Sequence, residues 1–310
     1  MTLTPNHIIP RCLLRDDARV SDTQLQVVGF IPEVYEVQLP EGYLGVWSKI
    51  TNFGNMIRLK SVFPCESFFG ALALTGFGPF VLIAVVFVLG TLAKLSAGET
   101  LGRGTRLGGL PPTLLIGYVI VPVASVKLFS SFNCVSYEFD TAGGVDVHFL
   151  RDSLDVTCSD SSSEYSRILR LSFVLMALWP IGGTMLCAWL LRKCRHAIVE
   201  HRPSVLSRAC RFLYQEMQPA YYYWEVIVLI ERIVLCGATL LIPQDRSFIR
   251  LIFAMLFTTI SAVVIMLAQP YRRDVHNYLS VAAHLVLQII FIGALVASMG
   301  LELRMSRRAA

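Results

Sequence analysis

Apolar residues along this chain gather into six long runs set between short polar stretches. The runs extend from Phe68 to Leu95, Pro111 to Phe132, Ile168 to Leu191, Tyr222 to Ile242, Ile249 to Ala268 and Tyr278 to Met299. At 1.5 Å per residue each is long enough to cross about 30 Å of hydrocarbon. The pattern predicts an all-α fold, a polytopic transmembrane helical bundle of six spans. Pro79 in the first run, and Pro180 followed by Ile181, Gly182 and Gly183 in the third, remove backbone donors and are expected to kink their helices.

Ahead of the first span, residues 21–66 mix aromatic and aliphatic side chains with Lys49, Arg58 and Lys60 and hold no long apolar core. That mixture fits an interfacial helical segment lying on the headgroups, or a small packed cap on the bundle. The chain therefore divides into an N-terminal tail (1–20), the interfacial pre-membrane segment (21–66), the membrane bundle (67–301) and a C-terminal tail (302–310).

Composition agrees with the pattern. Hydrophobic residues make up 55% of the 310 residues and charged residues only 16%, with a mean hydropathy of +0.59. Too few charges are present to cover a soluble globule of this size. The net charge of +5 is spread over segments between apolar runs. No basic stripe marks a nucleic-acid groove, so membrane lipids are the expected partners and nucleic acid is not. The first 20 residues contain no apolar core of signal-peptide length, and insertion is expected to begin at the first span.

The connecting segments set the orientation. Residues 133–165 carry Glu138, Asp140, Asp146, Asp152, Asp155, Asp160 and Glu164, whereas residues 192–220 carry Arg192, Lys193, Arg195, Arg202, Arg208 and Arg211. By the positive-inside rule the basic segment is cytosolic and the acidic loop extracytosolic. An even number of spans then leaves both termini on the acidic side, although Arg304, Arg307 and Arg308 run against that placement.

Cys134 and Cys158 both lie in the acidic loop and are expected to pair, a bond that contributes about 3 kcal/mol by constraining the loop. Cys65, placed on the same side, is the competing partner. Cys12, Cys187, Cys194, Cys210 and Cys236 show no metal-ligand spacing, and the loop carries no Asn-x-Ser/Thr sequon. His196 and His201 are five apart, so no HExxH pair forms, and neither a nucleophile elbow nor a phosphate loop occurs. No enzymatic activity and no cofactor are expected.

Four blocks carry a family resemblance. They are Gln26-Val27-Val28 leading to VYEVQLP at 34–40; Phe132-Asn133-Cys134 followed by HFLRDSLDVTC at 148–158; FLYQEMQPAYYYWEV at 212–226 with Glu231-Arg232 behind it; and Gln269-Pro270-Tyr271 with Asp274 and Asn277. In these the chain resembles the TRP-like or polycystin-like membrane region of algal and oomycete multi-span proteins, related in outline to the fungal TRP-like family. The resemblance implies ion-channel-like activity, with inorganic cations as candidate partners. Residues 269–277 are too short to hold a pore helix and filter, and residues 243–248 are shorter still. Any pore must be lined by the helices themselves.

The candidate lining groups are the polar residues inside spans. Glu225 and Arg232 are seven apart, two turns along one face, while Glu231 points elsewhere and cannot pair with its neighbour. Lys127 on the second span and His284 and Gln288 on the last are the candidate partners across the bundle, a Glu231 to Lys127 contact among them. Two roles stay open: permeation or gating, and pairs that lock helices together. Glu225 and Lys127 lie near span ends, where snorkelling to water is the simpler reading. Tyr214, Tyr221, Tyr222, Tyr223 and Trp224 read as a headgroup belt. The resulting expectation is an integral, multi-pass membrane protein with ion-channel-like or transporter-like activity and no filter loop. A homo-oligomer is compatible with it, and the alternative is a non-conducting membrane anchoring or assembly module.

Overall fold

Why the apolar runs become helices, and where they stop, is visible in a computed structural model. It describes residues 34–35, 67–98, 100, 102, 108–138, 146–159, 162–200, 204–242 and 247–309. Helix α1, Phe68–Ser96, is capped by the Ser67 hydroxyl, which accepts from the Gly70 amide at 3.3 Å, and it continues through Pro79. It is apolar on every side and buries few residues, as expected of a helix that faces lipid. Helix α2, Leu110–Ser130, opens on Pro111 and Pro112 and is the most buried of the long helices, so it stands at the centre of its neighbours.

The acidic loop departs from the all-helical expectation. It folds into an antiparallel meander, β1 (Cys134–Glu138), β2 (Asp146–Leu150) and β3 (Ser153–Thr157), in the order β1-β2-β3. Val135, Val147, Val156 and Thr157 supply β-branched side chains, and Leu150 and Val156 turn inward onto the bundle. Two residues, Arg151 and Asp152, connect β2 to β3, and the Arg151 amide donates to the Asn133 carbonyl at 3.0 Å. Short strands interleaved with Asp and Ser carry too weak an apolar signal to stand out beside membrane spans.

A continuous rod of 37 residues follows, made of α3 (Ser163–Met176), a π-helical stretch (Ala177–Gly183) and α4 (Thr184–Val199). The π-helical stretch contains Pro180, whose missing amide is accommodated by the widened turn. Trp179 within it donates from Nε1 to the Gly76 carbonyl at 2.8 Å. Gly76 is required there because a Cβ would collide with Leu175. Two short helices, α5 (Val205–Ala209) and α6 (Arg211–Tyr214), lead through a 3-10 turn at Pro219–Tyr221 to α7, Trp224–Cys236.

The fourth expected span is shorter than its apolar run. Helix α7 has 13 residues, about 20 Å at helical rise. Gly237 ends it, and a 3-10 turn, Ala238–Leu241, follows. Among the described residues five helices, against the six spans expected, are long and apolar enough to cross a membrane: Phe68–Ser96, Leu110–Ser130, Ser163–Val199, Phe248–Ala268 and Asp274–Val296. The last two belong to α8 (Ser247–Ala268) and α9 (Asp274–Ala309), which pack chiefly on each other.

The two ends of the bundle are defined by contacts. At one end the meander, the start of α1 and the start of α8 meet; at the other the Met217 backbone bridges to Tyr271 in the α8–α9 turn. Arg208, Arg211, Arg272 and Arg273 lie at the second, basic end. The interfacial segment expected at 21–66 lies outside the described residues except for Val34 and Tyr35. Those two are helical and buried among α7, α8 and α9, with Tyr35 edge-on to Phe291 at 5.0 Å. For these two residues packing against the bundle, rather than lying on headgroups, is observed.

Candidate functional site

Ionisable groups inside the bundle converge on α7. Its register sets Glu225 and Arg232 two turns apart on one face, looking toward α2, while Glu231 is rotated toward α9. Arg232 is 4% exposed and Glu231 7% exposed, so both charges are withdrawn from solvent by protein.

Arg232 Nη2 lies 3.9 Å from Glu225 Oε1. The same carboxylate oxygen accepts a hydrogen bond from the Tyr118 hydroxyl of α2, and the guanidinium sits 5.4 Å from the centroid of the Tyr118 ring. Tyr118 therefore serves both charges, its hydroxyl the anion and its ring face the cation. Arg232 Nε and Nη2 have no hydrogen-bond partner among the described residues. The cation is held by proximity and by the ring, not by a bidentate fork.

Glu231 is engaged more tightly. His284 Nε2 lies 2.7 Å from Glu231 Oε1, and His284 Nδ1 lies 2.7 Å from the Ser280 carbonyl one turn earlier on α9. A carbonyl only accepts, so Nδ1 carries a hydrogen. The line between Nε2 and Oε1 then also holds one hydrogen, because two lone pairs at that distance repel. The pair is neutral as a unit whichever atom the shared proton rides on.

The remaining sequence candidates fall elsewhere. Lys127 does not meet Glu231: on the last turn of α2 it lies 2.6 Å from Asp152 Oδ2 and 4.2 Å above the Phe68 ring, at the meander end. The difference is one of depth, since α7 brings Glu231 into the bundle from the opposite end. Gln288 Nε2 lies 2.8 Å from the Met255 carbonyl, 2.8 Å from Thr258 Oγ1 and 2.6 Å from Thr259 Oγ1, tying α9 to α8. Of the expected aromatic belt, Tyr223 is exposed and Tyr221 and Tyr222 are partly so. Trp224 is buried, packed with Met217, Val228, Ile265 and Tyr271. Cys134 and Cys158 form a disulfide with Cα atoms 6.3 Å apart, which joins the start of β1 to the residue after β3.

Sequence reading missed a second knot at the meander end. Arg250 of α8 is fully buried. Its Nε donates to the Ile242 carbonyl at 2.7 Å, Nη1 to the Val34 carbonyl at 3.3 Å, and Nη2 to Asn133 Oδ1 at 3.3 Å. Tyr35 completes the knot by donating from its hydroxyl to the Leu235 carbonyl at 2.9 Å. Arg250 stands second in the apolar run that begins at Ile249, a position where snorkelling to the surface is the natural expectation. Two of the acceptors are backbone carbonyls, which leave no mark in a sequence.

The four sequence blocks meet pairwise in space. Val34 of the first and Asn133 of the second share Arg250 at the meander end. At the basic end the third and fourth blocks dock: the Gln218 amide donates to the Pro270 carbonyl at 2.8 Å, the Arg272 amide to the Glu216 carbonyl at 2.9 Å, and Arg272 Nε to the Met217 carbonyl at 2.8 Å. Gln269 takes a positive φ of 45° to make that turn. No three His, Cys, Asp or Glu side chains cluster as a metal site among the described residues. Comparison of the chain with family models, with curated proteins and with solved structures finds no match.

Proposed function

We propose that this chain is a transporter-like, ion-translocating membrane protein whose working centre is α7. One observation carries the reading: adjacent residues Glu231 and Arg232 engage two different bodies of the bundle, Glu231 with α9 and Arg232 with the Tyr118–Glu225 pair on the α2 side. The helices α8 and α9 pack chiefly on each other and meet the rest of the bundle at separate points: the 3-10 turn after α7, the Glu231–His284 pair, the Arg250 knot and the docking of the α8–α9 turn. A short helix with ionisable contacts on both sides is a natural place for one body to rock against the other. Charges this well buried favour such movement over a standing water-filled pore, which would leave them wet. The resemblance to TRP-like membrane regions supports ion handling in general, while the short connections at 243–248 and 269–277 argue against a filter-type pore.

A second reading is favoured by the Arg250 knot and the mutual pairing of the α7 charges, which also suit a rigid, non-conducting anchoring module. Reconstitution of the purified full chain in liposomes separates the two. Ion flux that Glu231→Gln abolishes, with helical content retained, is the expected result. Absence of flux for any ion or voltage from folded protein overturns the transport reading in favour of the anchor.

A further inference from the structure

We propose that the Glu231–His284 pair is a proton-binding site and that the proton is the ion this bundle handles. This deepens the transporter-like reading and rests on it.

The geometry of the pair fixes its proton inventory. With one hydrogen on Nδ1 toward Ser280 and one between Nε2 and Oε1, the unit carries no net charge. Loss of the shared proton leaves a carboxylate facing an imidazole lone pair, with net charge −1. Gain of a proton leaves a neutral carboxyl beside an imidazolium, with net charge +1. Either state is costly where Glu231 is 7% and His284 1% exposed, unless the pair opens or another charge answers it. A change in proton occupancy therefore calls either for separation of α9 from α7 or for an answering charge beside the pair.

The surroundings supply a candidate answering charge and a polar face leading toward the pair. Cys236 on α7 lies beside both Glu231 and Arg232; Arg232 in turn faces Glu225 and, across on α2, Tyr118; Tyr271 in the α8–α9 turn and His276 at the start of α9 lie toward the basic end, and α8 presents Thr258 to Gln288 one turn beyond His284. Arg232, loosely held at 3.9 Å by Glu225, is the cation next to Glu231 in the chain and the one able to offset a bare carboxylate. His276, Ser280 and His284 follow one another at intervals of four along one buried face of α9, leading inward from the α8–α9 turn. Glu231 and His284, already at hydrogen-bond distance, leave no room between them for a hydrated cation.

The test uses the full chain reconstituted in liposomes with an entrapped pH indicator, together with nitrogen-15 histidine spectra of the same protein in lipid nanodiscs. A pH gradient is expected to drive proton flux that falls about 100-fold or more in Glu231→Gln and His284→Asn, the scale set by removing a positioned proton carrier. Sodium or potassium flux at the wild-type rate in both variants, with no proton flux, overturns the inference and leaves the transport reading standing. No flux of any ion from folded protein overturns both. If the variants misfold, the wild-type spectrum decides: a His284 Nε2 line that moves between about pH 5 and about pH 9 supports the inference, and a fixed line overturns it.

Discussion

Lys127 on the last turn of α2 lies 2.6 Å from Asp152 in the β2–β3 connection, and this contact fastens the meander to the bundle. Asp152 Oδ2 also accepts from Ser130 Oγ at 3.1 Å, and Lys127 covers the Phe68 ring at the start of α1. Three elements distant in sequence thus share one lysine.

Replacement of Lys127 by Met is expected to lower the unfolding free energy by about 1–2 kcal/mol, because a charged hydrogen bond and a cation–ring contact go together at a site about one-fifth exposed. A double-mutant cycle with Asp152→Asn checks it. Coupling indistinguishable from zero in denaturant titrations would show that the contact is solvent-screened and dispensable.

The long membrane helices are legible in the sequence because 20 or so apolar residues in a row carry their own signal. The Glu225–Arg232 alignment is legible too, since a spacing of seven fixes a shared helix face. Partners across the bundle are not: His284, Gln288 and Lys127 are equally plausible mates for Glu231 until depth is known, and depth depends on where each helix enters. The meander is hidden because its strands alternate Asp and Ser with apolar residues over only five positions each. Gly237 ends α7 inside an unbroken apolar run, so composition overstates that helix as a span. The Arg250 knot is invisible because the Ile242 and Val34 acceptors are backbone carbonyls.

The Cys134–Cys158 bond closes 24 residues of chain around the meander. Its removal by paired Ser substitutions is expected to cost about 3 kcal/mol, confined to local opening of the strands if the Arg250 knot holds the helices. Peptide mapping without reductant should recover the two cysteines as one cross-linked species; recovery of both as alkylated thiols rejects the bond.

Arg250→Met leaves the Ile242 and Val34 carbonyls and the Asn133 side chain without their donor. A loss of about 3–5 kcal/mol is expected, against about 1 kcal/mol for Tyr35→Phe, which removes a single neutral hydrogen bond. Because Arg250 binds the Val34 carbonyl, Arg250→Met should also speed proteolysis near Tyr35 while cleavage in the α8–α9 turn stays slow. Equal acceleration at both places would mean global unfolding and would count against a local tether.

Burial holds the Tyr271 phenol well above its ordinary value, and the nearby Glu225 carboxylate adds to the shift. The unfolded chain ionises this phenol near pH 10 while the folded protein keeps it neutral. Tyr271 thus contributes stability that is fully present below about pH 10 and is lost as pH climbs from there toward the folded value, by at most about 1.4 kcal/mol per pH unit. Tyr271→Phe is expected to flatten that alkaline slope. Unfolding midpoints at about pH 8 and about pH 11 measure it, and an unchanged slope in the variant assigns the effect to other groups.

Glu225 and Arg232 provide the sharpest separation of a structural role from a working one. Glu225→Gln keeps the shape and an acceptor for the Tyr118 hydroxyl but strips the charge that faces Arg232. A buried guanidinium that already has two nitrogens without hydrogen-bond partners then loses its counter-ion, and a destabilisation of about 3 kcal/mol is expected. Arg232→Met in the same chain removes the orphaned cation and should recover most of that loss, because no unpaired charge is then left buried. A double variant that is stable yet fails to move ions assigns the Glu225–Arg232 pair to transport. A double variant that is stable and transports at the wild-type rate assigns the Glu225–Arg232 pair to packing and leaves the work of α7 to Glu231 and His284.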